Sequence, residues 1–483
     1  MSRRVVGPFN RVEGDLEVTL ESGDGVVRAA YVNSPLYRGF EPMLRGKAPG
    51  DALVITPRIC GICSISQSMA AAAALRGCSG IEAAPNGLHA ANLIHAVENI
   101  ADHLSHFYLF FMPDFARADY RGRPWFEAGA ERFRAGAGSA AAEFLPARAQ
   151  FMHILGYLAG KWPHTLVTQP GGTTRPVSAS ERIRIRALID AFRRFLEERL
   201  FGDRLEAVAA LESEAALQAW REAAPPEAGD LRRFLAIAED LALERLGGAD
   251  VAFLSYGAYE SPEGERLFPR GVWDDGPRTL ETERITEDLS HAWLAGDESP
   301  RHPREGVTLP VAEKEGAYSW CKAPRLGGRV AETGALARQL VDGQPLIRDL
   351  VAASGGNVRN RVIARLLEVA RLIPEMTRWI DAIRPGEPFC VSDRPPDEGQ
   401  GAGLVEAARG SLGHWLRIEQ GRIANYQIIA PTTWNFSPRD AAGTPGALEQ
   451  ALVGTPMREG EETPLAVQHV VRSFDPCMVC TVH

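Results

Sequence analysis

Two short cysteine pairs stand at opposite ends of this chain. Arg58-Ile59-Cys60-Gly61-Ile62-Cys63 lies near the start, and Asp475-Pro476-Cys477-Met478-Val479-Cys480-Thr481-Val482-His483 lies at the end. A two-residue spacer lets both sulfurs of a turn point at one centre, so two such pairs make a complete coordination set for a soft metal. Zinc ribbons separate their half-sites by ~12–20 residues. Here Cys63 and Cys477 are 414 positions apart, so only the whole fold can bring the halves together. A structural zinc site is one reading of the four thiols, and a catalytic soft-metal centre is the other.

The remaining cysteines, Cys78, Cys321 and Cys390, stand alone and are expected to pack in the interior. An odd total with four thiols in pairs suits metal ligation in a reducing compartment better than a disulfide framework. Net charge is −9 with no block of Lys and Arg, which argues against a nucleic-acid partner. No run approaches the ~18–20 apolar residues of a membrane span. The opening MSRRVVGPFNRVEGD has no apolar core of a secretion signal.

Local pattern predicts a small β element within residues 1–35, with alternation in LEVTL, a turn at Asp24-Gly25 and then VVRAAYV. An Ala-rich helix is predicted over 64–76. A longer one carries Leu93, Val97, Ile100, Leu104, Phe107 and Phe111 on one stripe. A third starts at a capping box of Ser178 and Glu181 and stops at Gly202, and a fourth covers 357–383 with a kink at Pro374. These helices predict a bundle. Surface excursions are expected at 222–229 and 297–306, and a hairpin turning at Gln420-Gly421 leads to Pro431. The fold class is thus mainly α (α+β), a central helical bundle with small β elements near the N-terminus and before the C-terminus. The expected organisation is one catalytic domain over 1–483, with a metal-binding segment over 400–483. His95, His103 and His106 read as hydrogen-bonding groups of the helix interior.

RICGIC and DPCMVCTVH resemble the two signature elements of the large subunit of nickel-iron hydrogenases. RVEG at 11–14, YRGFE at 37–41, DHLSHFY at 102–108, GKWPH and PGG within 160–172, YSWCKAPR at 318–325, EAARG at 406–410 and APTTWNFSPRD at 430–440 agree in the same order. The resemblance spans nearly all of the chain. It implies a nickel-iron centre with carbon monoxide and two cyanides on iron. Cys60 and Cys477 would be terminal nickel ligands, and Cys63 and Cys480 would bridge to iron. H2 would be split there into a hydride and a proton. By the same resemblance Glu13 relays the proton, and Arg409 hangs over the metals, held by Asp102 and Asp475. Pro431 and Thr432 hold a cyanide. Glu41, the carbonyl of Ile428 and His483 bind Mg2+ or a similar ion. Ile62 and Phe110 line the gas tunnel.

The chain has no further cysteine-rich cluster motif, so an iron-sulfur small subunit is the implied partner. Departures from the family pattern fall at Asp15 (usually His), Gln67 (usually His), Ala408 (usually Pro), Ile62 and Phe110. The end at His483 and the departures at Asp15, Gln67, Ile62 and Phe110 point to a cytoplasmic regulatory H2 sensor, with a sensor histidine kinase and a dimer of heterodimers as its assembly. The alternative is a respiratory uptake or bidirectional hydrogenase.

Overall fold

The computed structural model describes residues 2–296, 299–392, 394–458, 461 and 464–483. An antiparallel sheet opens the chain: β1 (Ser2–Val6), β2 (Glu17–Gly23) and β3 (Val26–Asn33), in that spatial order. The hairpin of β2 and β3 falls where alternation places it. Strand β1 was not anticipated, because SRRVV shows no period-2 alternation; the exposed charges of Arg3 and Arg4 are what an edge strand needs to resist further pairing.

Helix α1 (Ser64–Ser79) follows the first cysteine pair, and α2 (Pro85–Ser105) follows it. The predicted stripe continues past α2, but as one widened π turn over His106–Phe111. Phe107 and Phe111 stay buried through it, while Phe110 is half-buried. α3 (Ser139–Ala159), α4 (Ala179–Phe195) and α5 (Val358–Ala382) complete a bundle in which α5 packs on α2 and α4, and α3 on α2 and α4. Ser178 and Glu181 form the expected capping box, and Gly202 ends the following π turn in the left-handed region. Pro374 lies inside α5, which is assigned as one helix across it.

The middle of the chain holds a sheet that pattern reading missed. Its strands are β4 (Ala252–Ser255), β5 (Gly271–Trp273), β6 (Pro277–Arg278) and β7 (Ala331–Thr333), in the order β6-β5-β4-β7 with β7 parallel to β4. Strands of two to four residues are too short to show a period. In the excursion expected at 297–306, residues 297–298 lie outside the described residues, and Arg301 pairs back to Glu287.

Before the C-terminus, β8 (Gly399–Ala407), β9 (Gly410–Glu419) and β10 (Arg422–Ile429) form an antiparallel sheet. The β9–β10 hairpin is the predicted one. β8 escaped notice because GQGAG reads as loop, and glycine is depleted in strands. The glycines serve packing: a Cβ at Gly401 would sit 2.0 Å from the Ala74 carbonyl oxygen, and one at Gly403 would sit 1.8 Å from that of Ala70. The Ala-rich helix α1 thus lies backbone to backbone on β8, carrying Cys63 at its N-terminal end. α6 (Leu465–Ser473) then leads to the last residues, which are buried where a terminus usually frays.

Candidate metal centre

The fold brings all four paired cysteines together. Cys60 Sγ lies 3.6 Å from Cys477 Sγ, Cys63 Sγ 3.1 Å from Cys480 Sγ, and Cys477 Sγ 2.9 Å from Cys480 Sγ. The four sulfurs lie within 4.8 Å of one another, are buried, and form no disulfide. Hydrogen bonds from the other three thiols hold Cys60 well below the ordinary thiol range, which favours giving up its proton to a metal. A soft dication displacing the remaining thiol protons fits this donor set. By contrast Cys321 is buried with its thiol on the Lys322 carbonyl, while Cys78 and Cys390 are only half-buried, less than expected.

Backbone contacts lock the two halves. Arg38, in YRGFE, donates through one Nη2 to the carbonyls of Ile59 and Val479, one from each half. The 11–14 turn clasps the C-terminal pair: Glu13 N–H donates to the Pro476 carbonyl at 3.4 Å, and Glu13 pairs with Cys477 in a parallel bridge. Gly14 has φ +80°, and a Cβ there would meet Val479 N at 3.2 Å, so glycine is required. Arg11, itself at φ 54°, is held by the Phe110 carbonyl at 3.0 Å and by Asp114. The Glu13 carboxyl is half-buried; burial raises its pKa, Cys60 raises it further, and Arg409 opposes both.

Arg409 is buried, with Nη2 2.9 Å from Asp102 Oδ1 and 3.3 Å from Asp475 Oδ1, and Nε on the Asp475 carbonyl at 3.0 Å. Its Nη1 lies 2.8 Å from Asp102 Oδ2 as an ion pair without hydrogen-bond alignment, so this buried nitrogen has no aligned acceptor among the described residues. Burial works against the charge, but Asp102 and Asp475 keep the guanidinium firmly protonated. Burial favours a neutral Asp475 as well, and Arg409 with His106 and Arg365 outweighs it. Thr432 Oγ1 accepts from Cys477 N–H at 3.3 Å, at the start of the short helix Pro431–Asn435 that Pro431 opens. Ala408, where Pro is usual, supplies a carbonyl to Arg338 at 3.0 Å.

The three residues proposed for a hard ion are joined through backbone groups. Glu41 N–H donates to the His483 carbonyl at 3.1 Å. Glu41 Oε1 accepts from the N–H of Ile428 at 2.7 Å. His483 is kept neutral by burial, and its Nε2 has no partner among the described residues; such an imidazole has a lone pair to offer a cation. Sequence reading missed Lys322, whose ammonium sits 3.2 Å from both Glu41 oxygens and 2.7 Å from Gln427. Its place inside YSWCKAPR was the available signal. The Glu41 carboxylate, which Lys322 already neutralises, and the open His483 nitrogen are the donors a cation would use here.

Ile62 is half-buried against the cysteine cluster, its N–H 3.3 Å from Cys60 Sγ. Gln67 accepts from His414 Nε2 at 2.8 Å and is buried. His95, His103 and His106 make the interior hydrogen bonds expected of them, to Ser66, Glu368 and the Arg472 carbonyl.

Four buried thiols closed by both ends of one chain, with a carboxyl and a guanidinium over them, define the catalytic chain of a metal-dependent redox enzyme. The chain belongs to the nickel-dependent hydrogenase family, whose pattern matches residues 38–118 and 229–483. It is an oxidoreductase of the hydrogenase large-subunit kind. It is 28% identical to the periplasmic [NiFeSe] hydrogenase large subunit of Desulfomicrobium baculatum, over 99% of this chain and 94% of that protein. It is 29% identical to the uptake hydrogenase large subunit of Rhodobacter capsulatus, over 100% and 95%. The reduced [NiFeSe] hydrogenase structure from D. vulgaris Hildenborough superposes with a TM-score of 0.85 at 28% identity, covering 100% of both chains.

Proposed function

We propose that this chain splits H2 heterolytically at a nickel-iron centre that Cys60, Cys63, Cys477 and Cys480 would hold. The observation that carries this reading is the closed four-sulfur cage with the Glu13 turn clasped to it. The centre, its iron carrying carbon monoxide and two cyanides, supplies a two-electron site that side chains alone do not provide. Glu13 accepts the proton released at the cage, a task its burial-raised carboxyl suits. Arg409 places a fixed positive charge, held by Asp102 and Asp475, within electrostatic reach of Cys477 and Cys63. Pro431 and Thr432 would hold a cyanide, and Glu41, the Ile428 carbonyl and His483 would hold a Mg2+-like ion, a reading supported by a buried His483 Nε2 that has no partner among the described residues.

Electrons leave through a partner, an iron-sulfur small subunit, since this chain has no second cysteine cluster motif. For the physiological role the reading is a cytoplasmic H2 sensor working with a histidine kinase as a dimer of heterodimers. It rests on Gln67, Asp15, Ile62 and Phe110, which depart from the common pattern. Uptake is the second reading, favoured by relatives that carry that name.

The test is protein matured in a competent host, which should hold nickel and iron and show infrared bands of metal-bound carbon monoxide and cyanide. Zinc in place of nickel, with no such bands, would sink the proposal. Cys477→Ser should release nickel, because an alcohol is a poor soft-metal ligand. Slow turnover with H2-dependent control of a kinase separates the sensor from uptake.

A further inference from the structure

A buried carboxylate that the reaction does not use sits behind the first cysteine pair. Cys63 is the N-cap residue of α1, but its side chain makes no capping bond. The orphan N–H groups of that first turn go instead to Glu98, from the middle of α2. Ile65 N–H donates to Glu98 Oε2 at 2.8 Å, and Ser66 N–H to Oε1 at 2.9 Å. Ser66 Oγ adds a bond at 3.0 Å, Ser64 Oγ one at 3.5 Å, and Trp162 Nε1, from the GKWPH loop, one at 3.1 Å. Glu98 is 3% exposed, so water cannot replace these partners.

A helix cap normally comes from the Ncap residue's own side chain. At Cys63 that side chain points into the sulfur cage, 3.1 Å from Cys480 Sγ, and an acceptor from elsewhere has to take over. We propose that Glu98 is a positioning residue for the metal site: it caps α1 in place of Cys63 and so leaves the Cys63 thiolate free to ligate. This rests on reading the four cysteines as the metal cage. Because the same carboxylate ties down Trp162, one group sets α1, the GKWPH loop and α2 relative to the cage. An ionised carboxylate offers enough lone pairs for all these donors, whereas an amide of the same shape offers one oxygen and sets an NH2 against the rest.

The experiment compares the parent with Glu98→Gln, matured in the same host and held at pH 8. The readouts are hydrogen exchange of the 64–68 amides, nickel loss to a chelator and the paramagnetic nickel spectrum. The expected result is exchange about tenfold faster at Ile65 and Ser66, as for a lost cap, with faster nickel loss, a shifted nickel signal and an unchanged circular dichroism spectrum. Ser66→Ala, which removes one donor, should move the same readouts less, and it carries the test if Glu98→Gln does not fold. Unchanged exchange, or faster exchange with the nickel signal and nickel loss unaltered, overturns the proposal. A parent that binds no nickel overturns the cage reading instead, while the exchange comparison still decides whether Glu98 is the cap.

Discussion

Met478 N–H donates to the Glu13 carbonyl at 2.7 Å, so the turn that carries the proposed proton acceptor is hydrogen-bonded inside the second cysteine pair itself. The carboxyl therefore keeps its place over the cage by backbone contacts that an amide would retain. Glu13→Gln is expected to hold nickel at the parent level while H2/D2 exchange falls by ~10²–10⁴-fold, the usual worth of a general base. Parent-level exchange in that variant would move the proton route elsewhere.

Arg409 makes contacts that a lysine cannot reproduce, because a single ammonium cannot span Asp102, the Asp475 carboxyl and its carbonyl at once. Arg409→Lys should retain nickel and lose about 10²–10³-fold in turnover. Arg409→Ala strands the buried Asp475 carboxylate and should also destabilise the fold by about 3–5 kcal/mol, while Asp102, which burial already pushes up to about 8, takes up a proton. Measuring metal content, turnover and urea midpoints on both variants checks this. A Lys variant with full activity would remove the guanidinium from the mechanism.

The cage itself was legible because cysteine pairs and their flanks are local text. Glu13, Arg409, Asp102 and Asp475 could be assigned by resemblance, and the structure brings them to one place. What was not legible depends on contacts between distant segments. Glu98 lies one turn before Asp102 on a helix and looks like any polar position until α1 arrives above it. Lys322 has no acid beside it in sequence, and its partners Glu41 and Glu287 come from distant segments. β8 was hidden because the glycines that let α1 approach it are the residues that make a strand look like a loop.

Glu368, from α5, is fully buried between Arg338, at 2.8 and 2.9 Å, and His103, at 3.1 Å. Burial alone would raise its pKa, but Arg338 and His103 outweigh it and hold the carboxyl down to about 2, against an ordinary 4.5. A carboxyl depressed in the folded state contributes stability that is complete above pH 4.5 and lost as pH falls toward 2. The expected loss across that window is about 3 kcal/mol. Glu368→Gln should flatten this part of the stability curve, read as urea midpoints between pH 6 and 3. An equally steep curve for the variant would assign the acid sensitivity to other carboxylates.

Ile62 N–H touches Cys60 Sγ, and the Phe110 carbonyl anchors Arg11, whose turn carries Glu13, so both residues belong to segments tied to the cage. Both are half-buried. At the matching family positions, Val and Leu are common in oxygen-sensitive members. We propose that Ile62 and Phe110 line the gas route to the cage, where their extra volume in a close-packed interior would narrow it instead of being absorbed. H2 is smaller than O2, so a narrower throat discriminates by size. Ile62→Val combined with Phe110→Leu is expected to leave H2 turnover near the parent value while the protein becomes inactivated by air. The comparison is activity before and after timed exposure to oxygen, on samples of equal nickel content and equal thermal midpoint. If the double variant survives air as the parent does, the throat is not what limits oxygen. Resistance would then reside in the metal site or in the partner's clusters.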